Sequence, residues 1–193
     1  MRPQLWVIAG PNGAGKSTLA DRYIAGRIPV VNPDNIAYAN PGMSPIQAGK
    51  LAITQQNQLL AARASFAWET TMSGKRELNL MTEAKAAGYK VNLVFVGIRD
   101  PAASMMRITQ RVAAGRHDVP PMDVQRRFQR CMENLPGALQ LADRALVLDN
   151  SGERRRLVLS QELQQTKRIA PNPPKWLVDA LPPAMRRSRG IER

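Results

Sequence analysis

The apolar positions of this chain fall into short blocks that alternate between two rhythms. Residues 4 to 9, Gln-Leu-Trp-Val-Ile-Ala, are an apolar run rich in strand formers, the pattern of a strand buried on both faces. Gly10 ends it. From Lys16 the spacing turns helical through Leu19, Tyr23 and Ile24, and Gly26 is placed to close that helix in a left-handed conformation. Val30-Val31 predicts a second strand leading into Asn32-Pro33-Asp34, and Tyr38 to Met43, with its Pro and Gly, reads as loop. Ser44-Pro45-Ile46-Gln47 has the form of a capping box with Pro at the first helical position, so a long helix is expected from there to about Arg63.

Phe66-Ala67-Trp68 predicts a third strand, and a helix follows from about Lys75 to Ala87, ending at Gly88. Val91 to Ile98 is apolar apart from Asn92 and reads as a central strand. Asp100-Pro101 starts a helix running to about Ala114, closed by Gly115. A loop over residues 115 to 121 precedes a helix from Met122 to about Asn134. Ala145 to Leu148 is a last core strand, and Asp149-Asn150-Ser151-Gly152 turns the chain into Leu157-Val158-Leu159. Strands alternating with helices imply an α/β sandwich of three layers, with a mostly parallel sheet between helices.

Composition adds bounds. A chain of 193 residues with 44% hydrophobic content is long enough for one sizeable core and short for two, so residues 1–166 are read as one domain. Residues 167–193 hold five prolines and several arginines without periodicity, and read as an extended basic tail in which Trp176-Leu177-Val178 alone is suited to dock on the body. No window approaches the roughly 18 apolar residues of a membrane span, and the lone Cys131 has no partner for a disulfide. These features lead to the expectation of a cytoplasmic protein. With 28 Lys+Arg against 15 Asp+Glu, a net charge of +13, its partners should be anionic: nucleotides, or a nucleic-acid backbone. An aromatic content of 5% argues against recognising single strands by stacking.

Gly10-Pro11-Asn12-Gly13-Ala14-Gly15-Lys16-Ser17 matches the pattern G-x-x-x-x-G-K-[ST] between a predicted strand and a predicted helix, the context this phosphate-binding loop requires. The glycines let backbone N–H groups turn onto phosphates, and the helix N-terminus adds positive potential. Residues 10–18, from Gly10 to Thr18, are thus expected to bind ATP or GTP. Lys16 would reach the β- and γ-phosphates and the Ser17 hydroxyl would ligate Mg²⁺.

Asp34 follows a strand predicted to neighbour the loop strand, at the sheet edge where open α/β folds bind ligands. A carboxylate there either accepts a proton from an attacking hydroxyl, holds Mg²⁺ through water, or caps the next helix. Glu69-Thr70-Thr71, after the third strand, reads either as acceptor contacts or as a solvated turn. Arg107 and Arg111 share a helix face, Arg116 follows in the loop, and Arg126, Arg127 and Arg130 come from the next helix. A phosphoryl-transfer site needs such cations as a lid over the moving phosphoryl, and Arg111, Arg116 and Arg127 are the candidates; otherwise they solvate helix faces. His117-Asp118 reads as a lid-shaping pair, and Asp149 to Gly152 either as a hairpin turn or as a turn near the nucleotide base.

The phosphate loop, Asn32-Pro33-Asp34, Glu69-Thr70-Thr71, the stretch from Arg111 to Pro120 and Asp149-Asn150-Ser151-Gly152 together resemble the zeta-toxin-like P-loop kinases, over about Leu5 to Gly152. The best-known members of that family phosphorylate UDP-N-acetylglucosamine. The resemblance implies a kinase with an arginine-bearing helical lid, Asp34 as general base, and acceptor contacts at Glu69, Thr70 and Thr71. It further implies a small hydroxylated acceptor such as a nucleotide sugar, and leaves toxicity and an antitoxin partner as questions. Where the family more often has Gly, this chain has Arg116. The competing reading is a nucleic-acid-associated NTPase or end-kinase, since residues 151–193 carry ten Lys or Arg against four Asp or Glu.

Overall fold

Strand β1 (Gln4–Ala9) forms where the chain is apolar on both faces: Leu5, Val7 and Ala9 enter one buried cluster and Ile8 the other. Each such fully buried aliphatic side chain stabilises the fold by roughly 1.5–3 kcal/mol. The structure is a computed structural model that describes residues 2–113 and 119–191, with only the backbone of Arg111. Around β1 the described strands are β2 (Val30–Val31), β3 (Phe66–Thr70), β4 (Lys90–Gly97), β5 (Arg144–Asp149), β6 (Arg156–Glu162) and β7 (Gln165–Ile169). They make one sheet in the order β2-β3-β1-β4-β5-β6-β7, parallel from β2 to β5, with β6 and β7 antiparallel. The expected central strand, β4, is fourth of the seven.

The helices are α1 (Lys16–Tyr23), α2 (Pro33–Ala39), α3 (Pro45–Ala61), α4 (Arg76–Ala86), α5 (Pro101–Ala113), α6 (Pro121–Leu141), α7 (Lys175–Ala180) and α8 (Pro183–Ser188). Local signals set most of their ends. Ser44 and Gln47 close the predicted capping box of α3, and Gly26 and Gly88 follow α1 and α4 with φ of 78° and 80°. Because the chain leaves β1 toward β3 and later returns to β4 on its other side, the sheet has its topological switch at β1. Open α/β sheets bind ligands at that edge.

Three elements differ from the sequence reading. Residues 33–39, expected to lead into loop, form α2, because Asn32 caps it and Pro33 supplies its first turn. Helix α6 does not stop at Asn134 but runs through Pro136 to Leu141. Proline removes one helical hydrogen bond there, and burial of Leu135, Ala138 and Leu139 holds the helix through it. Past Thr166, where the sequence predicts an extended tail, β7 extends the sheet and α7 forms, and Trp176, Leu177 and Val178, the part of that tail read as suited to dock, are buried in the main core. The Trp176 ring lies against Phe95, at 5.9 Å between centroids, and covers Gly97, where a Cβ would come within 2.2 Å of it. Its indole N–H donates to Asp149 Oδ1 at 3.0 Å, which ties α7 to the end of β5.

Candidate active site

The turn from β1 into α1 is built for close backbone approach. Gly10, Gly13 and Gly15 have φ of 143°, 70° and 90°, values that only glycine adopts without strain. At Gly10 a Cβ would stand 2.1 Å from the Val96 carbonyl oxygen, so β4 itself forbids a side chain there. Ser104 of α5 donates its hydroxyl to the Asn12 carbonyl, and Asn150, after β5, donates to the Ala14 carbonyl at 2.8 Å. The loop is therefore gripped on two sides by the structure around it. Lys16 is buried, 8% exposed, and its Nζ donates to the Pro11 carbonyl at 2.9 Å. That places the ammonium over the concave side of its own loop.

Glu69 joins the loop to the next strand. It lies within β3, 7% exposed, rather than in a solvated turn. Ser17 donates its hydroxyl to Glu69 Oε1 at 2.6 Å, and Asn32 donates its amide to Oε2 at 2.8 Å. A buried carboxylate whose two oxygens both accept hydrogen bonds is well satisfied. The Asn32 Oδ1 in turn accepts the Asp34 N–H at 2.8 Å, so Asn32 is the helix cap and Asp34, the second residue of α2, keeps an exposed side chain. Glu69 thus positions Ser17 on one side and the start of the helix carrying Asp34 on the other.

Beyond Glu69, Thr70 donates its hydroxyl to the buried Glu77 at 2.7 Å and accepts the Met72 N–H, and the Thr71 hydroxyl is 3.0 Å from that of Ser73. Among the described residues one cavity of about 630 Å³ gathers these pieces. Its walls include Gly13, Lys16, Ser17 and Thr18, then Asp34, Glu69, Thr70 and Thr71, then Arg76, Arg107 and Arg127. Gly10, Pro11 and Ala14 lie buried behind it. Arg127 is partly exposed and 3.8 Å from Asp123 on its own helix. Arg111 is placed by its backbone in α5, its side chain lying outside the described part, and Arg116, His117 and Asp118 lie outside the described residues.

Several lining residues carried no signal that sequence reasoning used. Gly49, Ala52, Ile53 and Gln56 of α3, with Trp68, form one wall, and Arg76 and Glu77 come from α4. The helical spacing of Gly49, Ile53 and Gln56 would have put them on one face, but nothing in the pattern says which element that face meets. At the other end Asp149 accepts from Ser151, Trp176 and Arg156. Burial pushes its carboxyl up, but these hydrogen bonds outweigh it and hold it below the ordinary carboxylate range.

No family model matches the chain. A protein of Haemophilus influenzae, itself uncharacterized, is 32% identical over 139 residues, which cover 66% of this chain and 99% of the relative. Among solved structures, a chain of the AvrRxo1-ORF1:AvrRxo1-ORF2 complex with sulphate ions matches 86% of this chain with a TM-score of 0.67 and 21% identity. The AvrRxo1-ORF1:-ORF2 structure with ATP gives the same TM-score at 20% identity. A structure from the PezAT chromosomal toxin-antitoxin system of Streptococcus pneumoniae matches 82% of this chain and 71% of its own, with a TM-score of 0.62 and 17% identity. This chain spans 60% of the length of the AvrRxo1 chains it resembles. These likenesses are of fold.

Proposed function

This chain belongs to the same family as the Haemophilus influenzae protein, and we propose that it is a zeta-toxin-like kinase that moves the γ-phosphoryl group of ATP or GTP to a hydroxyl of a small molecule. One observation carries the reading: a single cavity joins the glycine loop and Lys16 to an exposed carboxylate, Asp34, with Arg107 and Arg127 on its wall. Phosphoryl transfer needs these parts together, because catalysis rests on positioning and on neutralising charge. The fold shared with a complex crystallised with ATP supports the nucleotide.

In this mechanism the loop N–H groups and Lys16 hold the β- and γ-phosphates. The Ser17 donor set fits Mg²⁺, since its proton is committed to Glu69 and its oxygen lone pairs are left for a hard cation that takes few protein ligands. When bound, the ion would neutralise charge on the phosphate oxygens. Asp34 takes the proton of the acceptor hydroxyl as that oxygen bonds to the γ-phosphorus. The bond from phosphorus to the β,γ-bridging oxygen breaks, and the electron pair leaves on the nucleoside diphosphate. Arg127, with Arg111 and Arg116 as the lid arginines the sequence suggests, would neutralise the equatorial oxygens.

The acceptor wall of α3 and β3, with Thr70, Thr71 and Glu77, suits the hydroxyls of a sugar, and Arg76 on the same wall suits an anionic group beside them, so a UDP-sugar such as UDP-N-acetylglucosamine is the first candidate. The toxin-antitoxin system named for the Streptococcus pneumoniae structure leads us to include an antitoxin partner in the proposal. Burial of Trp176, Leu177 and Val178 takes part of the C-terminal segment away from a free basic arm, so the kinase reading is preferred to a nucleic-acid end-kinase. The test is ³¹P-detected phosphorylation of hydroxylated metabolites by wild type and by Asp34→Asn. Transfer should be lost in the variant while ATP binding stays within about twofold; equal transfer by both would remove Asp34 from the chemistry.

A further inference from the structure

The hairpin between β5 and β6 holds an arginine that the kinase mechanism does not use. Arg155 donates from Nη2 to the Gly15 carbonyl at 3.2 Å, beside the Asn150 bond to the Ala14 carbonyl. Its Nε is buried and makes no hydrogen bond. The hairpin crowds the loop so closely that a Cβ at Gly15 would lie 2.9 Å from the Asn150 amide and 3.4 Å from Arg155 Nη2. On the same loop a Cβ at Gly13 would lie 3.4 Å from the Arg107 Cβ. Two arginines, from α5 and from the hairpin, therefore flank the glycine loop.

Among the described residues, no ion pair joins Arg22, Arg107 or Arg155 to a carboxylate. Burial, and then the nearby charges of Arg107 and Arg22, draw the Arg155 guanidinium below its ordinary value, with Tyr23 acting the other way. Tyr23 is half-exposed, and its ring already carries the Arg22 guanidinium at 5.4 Å.

The ligand for this cluster follows from peptide geometry. In a trans peptide the C=O and the next N–H point to opposite sides. Groups bonded to the carbonyls of Ala14 and Gly15 lie on the side away from the N–H groups of Gly15 and Lys16, which the proposed mechanism assigns to the phosphates. Arg155 is thus not placed for the triphosphate. What extends beyond the loop is the nucleoside. A flat aromatic base offers a negative face to cations that otherwise repel one another, and guanidinium planes stack on such faces.

We propose that Arg155, together with Arg107, is a stacking platform for the nucleotide base, a binding contact on the hairpin side of the loop. The inference rests on the nucleotide reading above. Stacking does not read base edges, so ATP and GTP bind with affinities within a few-fold of each other.

The test measures by calorimetry the affinity of the full chain for ATP, GTP and inorganic tripolyphosphate, in wild type, Arg155→Ala and Arg155→Lys. Loss of one stacked base predicts that Arg155→Ala weakens both nucleotides by about 5- to 150-fold and leaves tripolyphosphate unchanged. Arg155→Lys keeps a donor for the Gly15 carbonyl but has no planar face, so it should lose nucleotide affinity as well. Equal weakening of tripolyphosphate, full recovery with lysine, or unchanged ATP affinity would each overturn the proposal. Wild type binding none of the three ligands would instead remove the nucleotide reading itself.

Discussion

Glu69→Gln isolates the residue on which the two halves of the site meet. The substitution keeps shape but turns one acceptor oxygen into a donor, facing either Ser17 Oγ or Asn32 Nδ2, which now donate at 2.6 and 2.8 Å. The Ser17 hydroxyl rotates more easily than the buried Asn32 amide, so the new N–H₂ should donate to Ser17 Oγ and occupy a lone pair meant for the metal ion. The site then loses about one hydrogen bond to a charged group, roughly 1.5–3 kcal/mol. At 1.36 kcal/mol per tenfold this is about 10- to 150-fold in affinity. Removing a buried charge offsets part of the lost bonding, so the melting temperature should change little. The assay is ATP affinity with Mg²⁺ and again with EDTA. The variant should weaken Mg·ATP by the stated factor and leave metal-free ATP unchanged. Equal weakening under both conditions would refute the claim that Glu69 acts through Ser17 on the metal.

Helix α7 is part of the core, so Trp176→Ala should destabilise the protein by about 3–5 kcal/mol, seen in chemical denaturation; a change below about 1 kcal/mol would mean that α7 is dispensable. Asp149 has its carboxyl held below the ordinary range in the folded protein, so its contribution is complete at neutral pH and is lost as pH falls through that depressed value. The stability advantage of wild type over Asp149→Asn should accordingly shrink on acidification below the ordinary carboxylate range, and a pH-independent difference would contradict this.

Much of the site was legible because its parts follow strands. The glycine loop, Asn32-Pro33-Asp34 and Glu69-Thr70-Thr71 each stand at the end of an apolar run, and the parallel sheet brings those ends to one edge. Glu69 illustrates the limit: local sequence shows a carboxylate after Phe66-Ala67-Trp68, but its buried bonds to Ser17 and Asn32 depend on β3 lying beside both β1 and β2. Arg155 and Asn150 were harder still, since they reach the loop across 140 and 136 residues. The C-terminal segment misled for a different reason. Prolines and arginines there suggest an extended arm, and although Trp176, Leu177 and Val178 read as able to dock, neither the strand β7 nor the seat of Trp176 over Gly97 is encoded by a local pattern. In α6 the sequence reading ends the helix at about Asn134, and burial of Leu135, Ala138 and Leu139 carries it on through Pro136.

The central claim is that residues 10–17 form a seat for a nucleoside triphosphate that Lys16 completes. Titration of Mg·ATP into wild type and Lys16→Ala, with melting curves of both, tests it most directly. Saturable binding by wild type, lost in a variant that melts at the same temperature, is the predicted result. Absence of binding to wild type, or undiminished binding to the variant, would contradict it.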